Sequence, residues 1–277
     1  MKKTILLLVF LLPALLQAQM TVDALFTKMS FAIVSLKTAS YSFNKSERFN
    51  GVMRKGTIET HLQTIPFKVY LKVTAPADDA GTEILYVEGE RGGECLVNPN
   101  MVPFNVNLSP YSDKIVGKEH HTLFQTGFTY IKSILLQMKK EYQAKINEYC
   151  TITDYSWNGK PVYKLEINFP DFKYVDYTVQ AGEDLIKIAR KKYINECMIK
   201  ELNKLKSYDV KAGQVIKIPN VYAKKSIFYF DKTNFLPIFQ QLHDDKGLFE
   251  EYSFFNLKIN PTFPAGEFTK GYDGYGF

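Results

Sequence analysis

Two segments with period-two alternation flank a stretch that lacks it, and this interruption limits the fold more than any other feature of the chain. Before it, Tyr163, Leu165, Ile167 and Phe169 alternate with Val162, Lys164, Glu166 and Asn168, following an Asn158-Gly159 turn that signals a hairpin. After it, Ile227 to Asp231 is strand-like again. Leu236 to Leu242 and Leu248 to Ile259 follow, joined by the turn Asp244-Asp245-Lys246-Gly247. Residues 175–219 between them read as a unit of their own. A compact unit can interrupt two neighbouring strands only if its own ends emerge together. Val162 to Phe169 and Ile227 to Asp231 are therefore expected to pair as the stem of one hairpin.

The rest of the chain mixes the two periods in blocks. Thr21 is placed to N-cap a first helix, with Val22, Leu25, Met29, Ile33 and Leu36 forming its apolar stripe. Phe67, Val69, Leu71 and Val73 then alternate with Lys68, Tyr70, Lys72 and Thr74, which predicts a strand with one wet face. Glu83 to Glu88 and Glu94 to Val97 read as further strands around the Gly89 to Gly93 turn. Phe124, Phe128, Ile131, Leu135, Met138 and Tyr142 step by three and four, predicting one long amphipathic helix that begins near His120. The 21 Phe and 18 Tyr against one Trp suit half-buried sheet surfaces. The pattern predicts an α+β fold, an antiparallel sheet with an amino-terminal helix and a long helix.

The first residues bear on compartment. Lys2 and Lys3 form a basic start, Ile5 to Leu12 an apolar run, and Leu16-Gln17-Ala18 a cleavage site. The run is shorter than the roughly 20 residues that span a bilayer. Residues 1–18 are expected to be a signal peptide cleaved near Ala18, giving a periplasmic chain without a transmembrane span. No Cys follows the run, so an amino-terminal lipid anchor is not expected. Removing the two lysines lowers the formal charge from +6 to +4. Without a concentrated basic stripe, nucleic acid is not an expected partner. Cys95, Cys150 and Cys197 allow a Cys95–Cys150 disulfide or three buried thiols, and lack zinc-ligand spacing.

Within residues 175–219, Tyr177-Thr178-Val179 reads as a strand and Ala181-Gly182-Glu183 as a turn. Asp184 to Tyr193 reads as a helix with Leu185, Ile188 and Ala189 inward. A second helix carries Ile199 and Leu202 and stops near Asn203, which tolerates left-handed geometry. Gln214 to Ile218 closes the unit as a strand ended by Pro219. This βααβ segment resembles a LysM domain. The resemblance rests on Tyr177-Thr178-Val179, Gly182, Leu185, Ile188-Ala189, Leu202-Asn203, Gly213-Gln214, Ile216 and Ile218-Pro219, in order and at family spacing. It implies binding of peptidoglycan or another N-acetylglucosamine glycan in a shallow groove. That groove would be formed by Gly182, Glu183, Asp184 and Leu185 with Leu205, Lys206 and Ser207. The family's usual Gly-Asp-Thr-Leu stands here as Gly-Glu-Asp-Leu, an extra carboxylate that puts the groove's activity in question.

The flanking parts, residues 19–174 and 220–277, resemble the LolA/LolB-like outer-membrane lipoprotein carrier superfamily. The resemblance rests on Asp231-Lys232-Thr233-Asn234-Phe235-Leu236-Pro237, Gly247, Tyr252 and Leu257 to Asn260-Pro261. It implies a curved antiparallel sheet closed by helices around an apolar cavity, with lipid or lipoprotein as ligand. Phe67, Tyr86, Tyr163, Phe228, Tyr229 and Phe254 are candidates to line it, or to be plain core.

Catalysis is the competing class, because LysM modules travel with wall hydrolases. The histidines are His61, His120, His121 and His243, and the adjacent pair would lie about 100° apart on a helix, unlike a metal pair. His-Glu-x-x-His and Gly-x-Ser-x-Gly are both lacking. Cys95 with a downstream His, or scattered carboxylates such as Glu83, Glu88 and Glu119, are weak signals. The expectation is a non-enzyme without catalytic residues, cofactor or metal; the alternative is a peptidoglycan-processing enzyme of unrecognised type.

Overall fold

The computed structural model describes residues 19–117 and 119–277; the expected signal peptide, residues 1–18, lies outside the described residues. Helix α1 (Val22–Val34) leads into β1 (Thr38–Phe49), β2 (Val52–Gln63), β3 (Lys68–Ala75), β4 (Glu83–Val87), β5 (Cys95–Asn98) and β6 (Val106–Leu108). Three helices follow, α2 (Asp113–Val116), α3 (Thr129–Glu141) and α4 (Ile146–Tyr149), then β7 (Cys150–Trp157) and β8 (Lys160–Asn168). A separate unit comprises β9 (Tyr174–Thr178), α5 (Leu185–Lys192), α6 (Glu196–Leu202) and β10 (Val215–Pro219). Strands β11 (Lys225–Asp231), β12 (Pro237–Asp244) and β13 (Gly247–Ile259) complete the order.

Among the described residues, eleven strands form one open antiparallel sheet in the order β6-β5-β4-β3-β2-β1-β13-β12-β11-β8-β7. Strands β8 and β11 are hydrogen-bonded neighbours, from Lys225 opposite Asn168 to Asp231 opposite Val162. The unit between them pairs its own strands, Val215 with Thr178 through Pro219 with Tyr174. A hairpin stem and a βααβ unit with adjacent ends thus satisfy one another.

Register explains how the sheet builds a single inner face. Across the middle strands one row reads Leu165, Phe228, Gln240, Tyr252, Lys45 and Gly56. The next runs through Phe254, Phe43 and Ile58. Side chains two apart share a face, so these rows point the same way. A Cβ on Gly56 would meet Lys45 Cε at 3.1 Å, so the glycine makes room for that side chain. Helices α1 and α3 cover part of this face, burying Phe26, Met29, Phe128 and Leu135 against Phe230 and Leu165. Each fully buried large apolar side chain contributes roughly 1.5–3 kcal/mol. Thr21 caps α1, its hydroxyl accepting from Ala24 N at 3.2 Å.

Three sequence expectations need correction here. The long helix starts at Thr129, because Gly127 takes a φ of +90° and Phe124 sits in a preceding 3-10 turn. Tyr70 does not face water. It is 3% exposed and stacks on Tyr275 at 3.7 Å. The carboxy-terminal segment crosses the outer face of β3 and β4, bringing Phe263, Phe268 and Phe277 over Tyr70, Leu85 and Val87. Glu83 fixes it, accepting from Tyr70 OH at 2.9 Å and from Gly276 N at 2.6 Å. In the inserted unit Lys204, not Asn203, is left-handed (φ 53°). Asn203 instead ties α6 to β10, bonding Ile199 O, Lys217 O and Lys217 N at 2.7–2.8 Å.

Candidate functional site

The inner face encloses a cavity of about 960 Å³. Val97 and Val106 line it from one end of the sheet, and Ile167 and Phe228 from the other. Strands that far apart in the order can share a cavity only because the sheet curves around it. Its apolar part is made by Phe43, Phe228 and Phe254 with Ile131, Ile134 and Leu135 of α3. Of the six aromatics considered from sequence, Phe228 and Phe254 line it. Phe67 and Tyr86 pack on Phe124, and Tyr163 stacks on Phe235. Tyr229, one residue out of phase with Phe228, stacks on Phe239 on the outer face at 4.6 Å.

The other end of the cavity is polar, and the inserted unit closes it. Lys192 and Tyr193 at the end of α5 line the cavity, as do Asn220 to Ala223 just after β10. Three contacts seat the unit there. Tyr130 OH donates to Ile194 O at 3.1 Å, Arg190 donates to the Thr122 hydroxyl, and Asn50 N donates to Glu201 Oε1 at 2.7 Å. Val116 of α2 packs into the unit's own core with Leu185, Ile188 and Ile199.

Glu250 centres this seam. It occupies an inner position of β13, in phase with Tyr252 and Phe254, where an apolar side chain would be expected. Its carboxylate accepts from His120 Nδ1 at 2.9 Å, from Asn195 Nδ2 at 2.6 Å and from Tyr222 OH at 3.1 Å. His121 Nε2 stands 3.5 Å away. Burial alone would raise the Glu250 pKa; the His121 charge and the histidine hydrogen bonds overcome it and hold the group down to about 2. His120 Nε2 also faces a carbonyl, Arg48 O, at 3.0 Å, so both ring nitrogens donate and the imidazole is a cation. Burial opposes that charge, yet Cys197, Glu250 and Glu47 raise the His120 pKa well above its ordinary value. Beside them Lys45 bridges Glu47 and Glu119, and Tyr252 OH donates to Glu47. The histidine pair therefore lies on no helix; a bend at His120 and His121 turns both rings onto one carboxylate.

Among the seven groove candidates, Leu185 N donates to Tyr208 O at 2.9 Å, which joins the start of α5 to the loop after α6. Glu183 is engaged within the unit, accepting from Tyr177 OH at 2.8 Å, Gln180 N at 2.9 Å and Lys191 Nζ at 2.8 Å. The Lys191 hydrogen bond outweighs burial and draws its pKa to about 2. Asp184 caps α5 through Lys187 N at 2.7 Å, and Leu185 is fully buried. Leu205 is half-buried against the unit's core. Gly182 (φ +78°) and Lys206 are exposed, and Ser207 is half-buried, so backbone and these short loops are what the groove offers.

Cys95, Cys150 and Cys197 are free and buried in three different places. Sequence reasoning missed Glu250, Asn195 and Tyr222. The one available signal was a charged residue on the inner phase of a strand. Glu83, weighed as a catalytic carboxylate, is taken up by Tyr70 and Gly276. No helix among the described residues is long and apolar enough to cross a membrane.

A family model for a protein of unknown function (DUF1571) matches residues 37–181, and a LysM domain model matches residues 177–219. The search of curated proteins finds no match. Among solved structures, the chain is similar to a putative outer membrane lipoprotein-sorting protein domain from Vibrio parahaemolyticus (11% identity, TM-score 0.37, covering 89% of this chain and 95% of that one). It is similar also to a LolA superfamily protein from Nitrosomonas europaea (11%, TM-score 0.35, 91% and 99%). The lipoprotein LppX of Mycobacterium tuberculosis is a third (9%, TM-score 0.39, 88% and 99%).

Proposed function

This chain belongs to the DUF1571 family, whose function is unknown, and we propose that it is a non-catalytic protein of the cell envelope that holds glycan with one part and an acyl-bearing ligand with the other. The LysM module supplies the first activity, with peptidoglycan as the glycan in a periplasmic setting. Gly182 and Ser207 edge the groove, and backbone amides of the two loops meet the sugar's acetamido and hydroxyl groups. The sheet supplies the second, for lipid or lipoprotein.

The observation that carries this reading is the cavity of about 960 Å³, apolar along α3 and the strands and rimmed by the LysM module. Ligand pockets run to roughly 300–1,000 Å³, so this one has room for a large apolar ligand. A core built only for stability would close such a space, since cavities destabilise. With the module forming the rim, glycan capture and the apolar cavity stand in one rigid frame.

Two measurements test the two halves. The full chain should sediment with purified sacculi, and soluble N-acetylglucosamine oligomers should release it. Protein left in the supernatant removes the glycan role. Mass spectrometry of the purified protein should find co-purified acyl lipid, and its absence counts against the carrier role. Release of muropeptides from sacculi would reassign the chain to the enzymes.

A further inference from the structure

Single apolar side chains on a surface are ordinary, but three on one short loop form a patch. Between β5 and β6, Met101 is 82% exposed, Phe104 61% and Val102 39%. All three also line the cavity, so this loop is where the cavity reaches solvent. Antiparallel pairing sets Thr57 opposite Ala75 and Glu83 opposite Asn98. The start of β2, the end of β3 and the loop after β5 therefore lie at one end of the sheet.

The loop is held out by its base. Asn100 Nδ2 donates to Ala80 O at 2.8 Å, and Asn100 N donates to Asn98 Oδ1 at 2.9 Å. A Cβ on Gly81 would collide with Asn100 Nδ2, so that glycine leaves the space the anchor needs. Asn98 Nδ2 in turn donates to Gly276 O at 2.9 Å. Pro99 and Pro103 fix the backbone on either side of Met101 and Val102. The apolar tip is a built protrusion.

Charge and size decide what it meets. Arg54 and Lys55 of β2 and Lys114 of α2 line the same end of the cavity. Arg54 lies over the Phe49 ring at 4.7 Å, and among the described residues no carboxylate forms an ion pair with any of the three. The acids lining that end are Glu47 and Glu119, both held by Lys45, and Asp79. Elsewhere on the lining His121 is matched by Glu250, and Lys192 and Glu141 add one charge of each sign. The loop's end of the cavity is therefore positive, on a chain of net charge +6. A protein partner would need about 800 Å² on each side, far more than three side chains present. A bilayer needs only a few apolar side chains inserted beneath cations that meet its head groups.

We propose that residues 99–105 form a docking lip for an anionic phospholipid bilayer. Met101, Val102 and Phe104 enter the acyl layer, and Arg54, Lys55 and Lys114 meet the phosphate head groups. Docked in this way, the cavity opens onto lipid, and an acyl chain passes between the two without crossing water. The inference rests on the reading of the cavity as an acyl-chain site.

Cosedimentation with vesicles tests it on residues 19–277, which contain the whole described fold, so that the apolar run from Ile5 to Leu12 contributes nothing. The vesicles are phosphatidylcholine with or without about 30% phosphatidylglycerol. The protein should partition at least about tenfold better onto those with phosphatidylglycerol, and about 0.5 M salt should release it. Met101→Ser with Phe104→Ser, both at exposed positions, should lower that partition about tenfold. Phe104→Trp supplies a local signal, since the wild type's one Trp, Trp157, lies on β7 at the other edge of the sheet. Its emission should shift to the blue on the vesicles and be quenched by brominated acyl chains. Equal partition onto both vesicle types, an undiminished partition in the serine variant, or a Phe104→Trp emission that vesicles leave unchanged overturns the docking lip. A concentration-dependent dimer abolished by the serine substitutions overturns it too, and gives the patch to a second copy. Binding of N-phenyl-1-naphthylamine without vesicles checks the cavity separately. A protein that binds this probe but no vesicle loses the lip alone; one that binds no probe loses the acyl-cavity reading and this inference with it.

Discussion

Glu183 and Glu250 are both carboxylates drawn down to about 2 by hydrogen bonds and positive neighbours, yet they are opposite in construction. The donors of Glu183 come from residues 177 to 191, within a few turns of chain, and the group sits at the LysM module's surface. The donors of Glu250 are His120, Asn195 and Tyr222, contributed by a bend, the N-cap of α6 and the segment after β10. The first carboxylate holds one turn against its helix. The second holds a module against a sheet. A short-range network stabilises the piece that contains it, whereas a long-range one fixes how pieces sit together.

The sharpest way to break this comparison is Glu250→Gln, which leaves His120 charged and buried without its counter-ion. Removing one partner of a buried pair costs about 3–5 kcal/mol, so the urea midpoint should fall sharply. A loss no greater than that of Glu183→Gln would mean that the seam is not held by this charge. Asn195→Ala comes next, since it removes both the α6 cap to Met198 N and a bond to Glu250. About 2 kcal/mol is expected from chemical denaturation. Hydrogen exchange should quicken in α6 and in residues 220–223 together if the seam is one unit. Glu183→Gln should cost the least, about 1 kcal/mol, because water replaces part of what the partly exposed turn loses.

Titration separates the two networks further. Both carboxylates have pKa values below their ordinary 4.5. Each therefore adds stability that is present above pH 4.5 and lost as the pH falls toward 2. His120 is shifted upward, so its contribution is complete below its ordinary 6.5 and is lost as the pH rises through the raised value. Glu119 and Glu196, raised by burial, work in the opposite sense: each costs stability above its raised pKa, and that cost is relieved as the pH falls toward 4.5, before the Glu250 limb begins. Stability measured against pH should lose both limbs' steepness in Glu250→Gln and only part of the acid limb in Glu183→Gln. An alkaline limb unchanged by Glu250→Gln would show that His120 draws its charge from elsewhere.

The LysM module was legible because its signals are local. Turn glycines, a helix of spacing three and four, and a closing strand lie within one short stretch, and the LysM model matches residues 177–219. The β8–β11 stem was legible too, because an insert whose ends emerge together leaves the period-two segments on either side of it next to each other. Tyr70 shows where pattern fails. Its strand alternates as a half-wet strand should, but a tail almost two hundred residues later covers the polar phase. The groove residues are a subtler case. Leu185 N bonds Tyr208 O across the two loops, while Glu183 and Leu185 are engaged in holding the module together.

Sequence alone determined local elements: the β8 and β11 strands, the two helices between them, and the inward turn of Leu185, Ile188 and Ala189. These follow from periodicity and turn chemistry, which act between near neighbours. Only the tertiary structure decided that His120, Asn195 and Tyr222 converge on Glu250, and that the end of α5 of the LysM module lines the cavity. The reason is physical: a buried charge is tolerated only where distant segments bring partners to it, and that meeting leaves almost no trace in the residues on either side.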